Sequence, residues 1–361
     1  MLLDLDSFYA QCEENVNPSL KGKPVVVCVY SGRTHDSGAV STANYAARKY
    51  GVKAGIPIVR AKKILESLDA AFVPMNHPLY EQVSERIMET LRTQADAFEQ
   101  TSIDEAFLDV SERADHSFVS AKDAALEIKK QLATQENVTA SIGIGPNKLV
   151  AKIASDQSKP DGLTIVKTEQ ATEFLAPLSA NRIPGVGKKA EEKLAQLNVF
   201  TISDLSNLSP ATLVDAFGKS LGAYLYRAAR GEDDEPVRER GPPTQFSRIA
   251  TLKQITRDAE DTYQLLAELA KSVSDKLKEQ EMSCKSVAII AILNDLSIHS
   301  RSRTLEPPTS EVNKIEIAAK QLTQEFLKAN PEATLRRLGI KASGLSKEAG
   351  QTNMSKFLGA Q

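Results

Sequence analysis

The sequence lacks any long apolar run. Its longest, Val287-Ala288-Ile289-Ile290-Ala291-Ile292-Leu293, has the length of a strand and is far too short to cross a bilayer, so no membrane partner is expected. The opening Met-Leu-Leu-Asp-Leu-Asp carries neither a charged leader nor a cleavage site, which predicts no secretion signal. Cysteine is scarce: Cys12, Cys28 and Cys284 are scattered without a CxxC spacing, and the four histidines are scattered too. A zinc site built from thiolates or imidazoles is therefore not expected, and a reducing cytoplasm is. Internal repeats and low-complexity runs are missing. So is a basic excess: 45 Lys and Arg stand against 47 Asp and Glu, a formal charge of −2 and a pI near 6.2. Taken as one number, that argues against a simple nucleic-acid coat.

What is present is an ordinary soluble composition, 41% hydrophobic and 25% charged, on a chain long enough for about two to four domains. The charge is unevenly spread. Residues 1–166 hold 18 basic and 22 acidic side chains, residues 167–235 hold 8 and 10, residues 236–344 hold 17 and 14, and residues 345–361 hold 2 and 1. Chance variation would allow this. So would a division between an acidic part that holds cations and a basic part that holds a polyanion.

The segment 231–243, Gly-Glu-Asp-Asp-Glu-Pro-Val-Arg-Glu-Arg-Gly-Pro-Pro, has little to pack and reads as a linker. Beyond it the pattern is strand (246–252), helix (259–278, with Leu265, Leu266, Leu269, Val273 and Leu277 on one face), strand (286–293), a turn at Asn294-Asp295, strand (296–305), helix (312–327) and strand (335–342). This βαββαβ order is the split βαβ pattern. The front part opens on a short apolar strand (1–5), followed by a second at 25–30, and two more flank residues 102–106. Helices are predicted at 119–132 and 148–156, and residues 182–231 are helical with glycine turns. The segment after Gly344 is polar and reads as a flexible tail.

Asp4 ends an apolar strand, and Asp104-Glu105 sits in a hairpin, with Leu2, Leu3, Leu5, Ile103, Ala106, Phe107 and Leu108 around them. Burying three carboxylates together is costly unless a cation neutralises them. Magnesium, with a few carboxylates, phosphate oxygens and water, is a natural solution. Ordinary surface turn acids would give the same letters.

Three motifs decide between these readings. Asp4-Leu5-Asp6-Ser7-Phe8-Tyr9-Ala10, Ser102-Ile103-Asp104-Glu105-Ala106, and Gly143-Ile144-Gly145-Pro146-Asn147-Lys148 through Lys159-Pro160-Asp161-Gly162 resemble the Y-family translesion DNA polymerases, on the archaeal and bacterial DNA polymerase IV branch. The resemblance extends over almost the whole chain in the same order. It implies an α+β multidomain right hand. The expected parts are a ferredoxin-like palm (1–10 and 76–166), small fingers (11–75), a helix-hairpin-helix thumb (167–232), a linker (233–243), a split βαβ little finger (244–344) and a tail (345–361).

The resemblance implies roles position by position. Asp4, Asp104 and Glu105 match the catalytic metal-binding carboxylates, with the carbonyl of Leu5 as a further ligand. Two Mg²⁺ ions are implied, and Mn²⁺ can substitute. Asp6 is not a ligand in the family, so it is expected to be structural, a helix cap or turn residue. Thr42, Tyr45 and Arg48 fall on neighbouring positions of one predicted helix, which suits a triphosphate. The family match makes these residues, Phe8 and Lys159 nucleotide contacts. Tyr9 matches the steric gate that excludes a 2′-hydroxyl, and Val29, Ala39 and Gly55 match the roof over the nascent base pair.

The stretch 183–194 reads as a helix-hairpin-helix in which Gly185, Gly187, Lys188 and Lys189 approach a DNA phosphate. Alternation over 298–304 puts His299, Arg301 and Arg303 on one face, and Arg248, Lys253, Arg336, Arg337 and Lys341 lie on other predicted strands. Together they are expected to form one basic sheet face along the DNA backbone; a solvated face is the bland alternative. In the tail, Gln351, Met354, Phe357 and Leu358 fit a sliding-clamp-binding peptide. Leu358 stands where a second aromatic is common.

The implied protein is a low-fidelity, template-directed polymerase that adds dNTPs to a primer-template, is tethered to a sliding clamp, and works as a monomer in the cytoplasm at the nucleoid. A palm-fold nucleotidyl cyclase and a non-catalytic DNA and clamp scaffold are the rival classes. The first would not need the hairpin, the basic domain or the gate, and the second would be expected to lose a carboxylate.

Overall fold

A computed structural model describes residues 1–347. The expected clamp peptide (Gln351, Met354, Phe357, Leu358) lies outside the described residues. The strands in chain order are β1 (Leu2–Leu5), β2 (Val25–Tyr30), β3 (Gly38–Ala43), β4 (Ala71–Pro74), β5 (Ala97–Gln100), β6 (Glu105–Asp109), β7 (Ala140–Ile144), β8 (Leu163–Ile165), β9 (Gln245–Thr256), β10 (Met282–Leu293), β11 (Ile298–Thr309) and β12 (Leu335–Lys347). They form three sheets, in the orders β5-β6-β1-β7-β8, β3-β2-β4 and β11-β10-β12-β9. The chain divides into two compact units, residues 1–29 with 39–240, and residues 30–38 with those from Gly241 onward.

In the first unit, β1 runs antiparallel between β6 and β7. A strand covered on both edges and both faces is apolar at successive positions, which is why Leu2, Leu3 and Leu5 are all buried. The period of two still sorts them. Leu3 and Leu5 enter the main core with Phe8, Tyr80, Leu91 and Ile142. Leu2 and Asp4 point to the other face, where Leu2 meets Phe107 and Ala151. The helix Lys148–Gln157 covers that face. It is started by Asn147, whose side chain accepts from the Val150 amide, and by Asp233, which accepts from the Leu149 amide at 3.1 Å. Gly143 is what lets this helix come so close to β7, because a Cβ there would sit 2.1 Å from Ala151 O and 2.3 Å from Ser155 N.

The three-stranded sheet pairs β2 with β4 in parallel and packs Val26, Val40, Val52 and Ile58 into a separate apolar cluster. Residues 188–228 form short helices around Leu194, Ile202, Leu205, Leu213 and Leu225. The predicted helix-hairpin-helix begins there on a single 3₁₀ turn, Ala180–Arg182. It then turns at Gly185, which has φ +89°, and enters the helix Lys188–Gln196. Lys188 and Lys189 are both exposed.

The second unit has the expected βαββαβ order. The helices Tyr263–Glu279 and Val312–Ala329 pack on β10 through Val287, Ile289 and Ala291. The turn after β10 is closed by Leu293 N–H to Ser297 O, with Leu296 at φ +69°. Residues 30–38 belong to this unit: Arg33 Nε donates to Leu252 O at 2.7 Å and its Nη2 to Arg336 O at 3.1 Å.

Candidate active site

The register of β1 against β6 sets Asp4 directly opposite Glu105. Antiparallel partners point to one face, so both carboxylates face the helix Lys148–Gln157. Lys152 on that helix is in ion-pair contact with Glu105 Oε2 and lies 3.9 Å from Asp4 Oδ2. Lys159 lies 2.6 Å from Asp4 Oδ2 and 2.8 Å from Asp156 Oδ1. Glu105 also accepts from Thr101 Oγ1 at 2.7 Å, and Asp104, in the hairpin between β5 and β6, accepts from Ser102 Oγ at 2.5 Å. The Asp104 carbonyl accepts from the Leu5 amide at 2.8 Å, which ties the hairpin to the end of β1.

Burial pushes the Asp4 carboxyl up to about 6, and the nearby Asp104 adds to this, while Lys159 and Lys152 pull it down. Burial works against the Lys159 ammonium, but the charge of Asp4 and its bonds to Asp156 and Asp4 outweigh that and hold its pKa above the usual lysine range. Among the described residues, no three His, Cys, Asp or Glu side chains converge into a group that would hold an ion as they stand. The donor chemistry nevertheless fits a hard divalent cation. The oxygens are carboxylate and carbonyl, and Asp4 is a half-buried carboxylate whose charged form gains from added positive charge.

Beside the carboxylates is a cavity of about 430 Å³. Asp4, Leu5, Tyr9, Thr42, Tyr45, Arg48, Asp104 and Lys159 are among the residues that line it. Asn44 caps the Tyr45–Arg48 helix by accepting from the Ala47 amide. Arg48 Nε donates to Ala43 O at 2.8 Å, and the guanidinium lies 4.7 Å from the Tyr45 ring centre. Thr42 is on β3 rather than on that helix, so the expected single-helix arrangement becomes a strand followed by one helical turn. Phe8 borders the cavity, but its side chain is 2% exposed and belongs to the core. Val29 and Ala39 are exposed, and Gly55 has φ +87° with open space around its α-carbon.

The Tyr9 ring stacks on Tyr80, centroids 4.3 Å apart and planes at 15°. Tyr80 is fully buried. Its hydroxyl donates to Glu13 Oε1 at 2.5 Å and accepts from the Asn76 amide at 3.1 Å. Asp6 is structural, as expected, and of the two expected places it takes the turn after β1 and not the helix cap. The helix Phe8–Val16 is entered through Ser7, with no side-chain cap bond. Asp6 is instead a buried hub, accepting from Ser141 Oγ (2.8 Å), Thr139 Oγ1 (3.0 Å) and the Asp161 amide (2.8 Å).

The basic residues of the second unit do not share one face. Arg301 pairs with Ile289, Arg303 with Val287 and Arg248 with Ile340, all core positions under the helices, so these arginines lie on the helix side of the sheet. Arg303 is bonded there to Gln321 and Glu325, and His299 meets the Phe326 ring at 5.7 Å. Arg337 and Lys341 pair with Ile292 and Ala288 and lie on the opposite face. The cause is the period of two, which separates neighbouring arginines on one strand and sets register-shifted ones on different strands.

Sequence reasoning left out Lys152, Thr101, Ser102 and Tyr80. Lys152 had a signal, since it follows Lys148 by one helical turn, yet the two lysines serve different acids. Lys148 Nζ is 2.7 Å from the buried Glu99. Tyr80 had none, because a tyrosine in an amphipathic helix reads as core.

Comparison with known proteins agrees along the chain. Residues 3–156 match the impB/mucB/samB family, residues 181–233 match the DNA polymerase-iota thumb domain, and residues 243–354 match the impB/mucB/samB family C-terminal domain. A DNA polymerase IV of Nitrosopumilus maritimus is 45% identical over 356 residues, covering 98% of each chain. One from Saccharolobus solfataricus is 40% identical over 343 residues, 95% of each. Among solved structures, a Y-family DNA polymerase chimera, Dbh-Dpo4(243-245)-Dbh, aligns at TM-score 0.88 and 37% identity, over 95% of this chain and 98% of that one. An insertion ternary complex of Dbh DNA polymerase aligns at TM-score 0.68 and 37% identity, over 95% and 97%.

Proposed function

The chain belongs to the Y family of DNA polymerases, on the DNA polymerase IV branch, and from its activity as a template-directed translesion DNA polymerase we propose how its residues divide the work. The cyclase and scaffold alternatives fall with that membership. The observation that carries the assignment is the pairing of Asp4 with Glu105 at the strand ends beside the cavity lined by Tyr9, Tyr45, Arg48 and Lys159.

Y-family enzymes use divalent metal ions, and we assign that place to Mg²⁺ at Asp4, Asp104, Glu105 and the Leu5 carbonyl. Bound there, the metal supplies activation of the primer 3′-hydroxyl and charge stabilisation at the leaving pyrophosphate. The chain's own residues do the rest. Arg48 and Lys159 receive the triphosphate oxygens, and the Tyr45 phenol orients them. Tyr9, seated on Tyr80, lies under the sugar and excludes a 2′-hydroxyl. Val29, Ala39 and Gly55 leave the base pair loosely roofed. Lys152 stays with Glu105 and limits the negative charge of the site.

The expected boundaries of palm, fingers, thumb and little finger are proposed as drawn from the motifs. Gly185, Gly187, Lys188 and Lys189 would hold a DNA phosphate. Arg248, Arg301, Arg303, Arg336 and Arg337 would contact the DNA backbone from the two faces and the edge of the sheet rather than from one surface. We further propose clamp tethering through residues 351–358, a monomeric state, and action at the nucleoid. No helix among the described residues is long and apolar enough to cross a membrane.

Metal titration tests the Mg²⁺ assignment. Chelated enzyme should regain dNTP insertion with Mg²⁺, and a Glu105→Gln variant should bind Mn²⁺ more weakly by paramagnetic titration. Equal Mn²⁺ affinity in the variant and the wild type would contradict it.

A further inference from the structure

Asp6 is an expensive residue to bury. It is 2% exposed, and a buried carboxylate is tolerated only with full hydrogen bonding. Its donors are the Thr139 and Ser141 hydroxyls, the Asp161 amide and, at 3.5 Å, the Tyr45 phenol. Each of the four is neutral. They come from three places far apart in sequence: β7 and the residue before it, the loop after Lys159, and the helical turn that carries Arg48.

The loop is held at several points. Asp161 N–H donates to Asp6, and Gly162 N–H donates to Ser141 Oγ at 3.3 Å. Lys129 Nζ reaches Asp161 Oδ1 at 2.6 Å, Ala140 O at 2.7 Å and Gly162 O at 3.2 Å. Asp6, the residue after β1, holds the backbone of this loop at the Asp161 amide. Two residues back on the same strand end, Asp4 faces the Lys159 ammonium at 2.6 Å. One short segment therefore carries both the acid that Lys159 meets and the anchor of the loop that presents Lys159.

We propose that Asp6 is a positioning residue for nucleotide binding, tying the 159–162 loop and Tyr45 to the strand end that bears Asp4 so that Lys159 and the phenol meet the triphosphate. This rests on the reading of Lys159 and Tyr45 as triphosphate contacts. Asp6 is 2% exposed and is not among the residues that line the cavity beside Asp4 and Asp104, so its role is assigned to the loop and not to the metal.

The test is single-nucleotide insertion on a primer-template by wild type, Asp6→Ala, Asp6→Asn, Lys159→Ala and the Asp6→Ala/Lys159→Ala double variant, with inorganic tripolyphosphate as competitive inhibitor. Losing a charge-assisted bond that orients the loop should raise the dNTP KM and the tripolyphosphate Ki about tenfold in Asp6→Ala. The primer-template Kd should stay unchanged. Asp6→Asn still accepts from the Asp161 amide and should remain within about threefold of wild type. Because Asp6 also holds Tyr45, Asp6→Ala should raise KM in the Lys159→Ala background, but by a smaller factor than in the wild type. A purely structural Asp6 would lower the folded fraction without moving KM or Ki. Unchanged KM and Ki in Asp6→Ala, beside a raised KM in Lys159→Ala, overturn the inference alone. An unchanged KM in Lys159→Ala overturns the triphosphate reading and the inference with it. If Asp6→Ala does not fold, Ser141→Ala removes one of the same bonds and the Gly162 anchor; it should raise KM and Ki about threefold, and unchanged values overturn the inference.

Discussion

Removing the ring beneath Tyr9 should loosen sugar selection without touching the sugar. Tyr80 is fully buried and stacks on Tyr9 at 4.3 Å and 15°. A gate excludes a 2′-hydroxyl only as firmly as its own ring is held, and a stacked aromatic pair contributes about 0.5–1.5 kcal/mol beyond area burial. Tyr80→Ala should therefore lower the deoxyribose-over-ribose ratio of kcat/KM by about 2- to 12-fold, since each 1.4 kcal/mol is tenfold. It should also cost about 3–5 kcal/mol of stability, as large aromatic deletions do. Tyr80→Phe separates the two effects. It keeps the ring but leaves Glu13 and the Asn76 amide without their shared partner, so about 1–3 kcal/mol of stability should go while the sugar ratio holds. The assay is single insertion of dCTP and CTP opposite dG, run well below the unfolding midpoint of each variant. A folded Tyr80→Ala with the wild-type ratio refutes the reasoning, as does a Tyr80→Phe that loses as much selection as Tyr80→Ala.

Other expectations follow from the same geometry. Gly143→Ala should destabilise by about 3 kcal/mol or more, seen as a lowered denaturation midpoint, because the added Cβ meets backbone at 2.1 and 2.3 Å. Arg48→Ala should raise the dNTP KM about tenfold through loss of one charged phosphate contact. Burial pushes the Cys12 thiol up to about 12 and the Cys284 thiol up to about 11. Both thiols are then protonated at pH 8 and should resist iodoacetamide until the chain is unfolded, with reactivity rising only as pH climbs toward those values. Deleting residues 351–358 should abolish stimulation by a sliding clamp and leave basal synthesis intact.

The sequence made the local features of the site legible and left its long-range ones hidden. Asp4 and Glu105 could be placed because each ends or begins an apolar strand, and motif order then made them neighbours. The split βαβ unit was legible because its two helices and four strands differ in period. Asp6 reads from the sequence as a cap or turn residue, and its role as a hub stays hidden because its partners, Thr139, Ser141 and Asp161, lie far along the chain. Lys152 was missed because a lysine on an amphipathic helix normally faces water, and only the packing permitted by Gly143 turns this one toward Glu105. The single basic face failed because alternation within one strand says nothing about which face the helices cover. Pairing of Ile289 with Arg301 and of Ile292 with Arg337 settled that.

The opposing charges along the chain also gain a physical meaning. The front part carries the carboxylates, and its own lysines, 152 and 159, already meet two of them. The near-neutral total therefore conceals a site where cations and acids are paired at short range.

Primer extension in Mg²⁺ by wild type and Asp104→Ala tests the account most directly. The wild type should extend rapidly, and a folded Asp104→Ala that still binds primer-template should be slower by about a thousandfold, roughly 4 kcal/mol. Equal synthesis by the two proteins would contradict it.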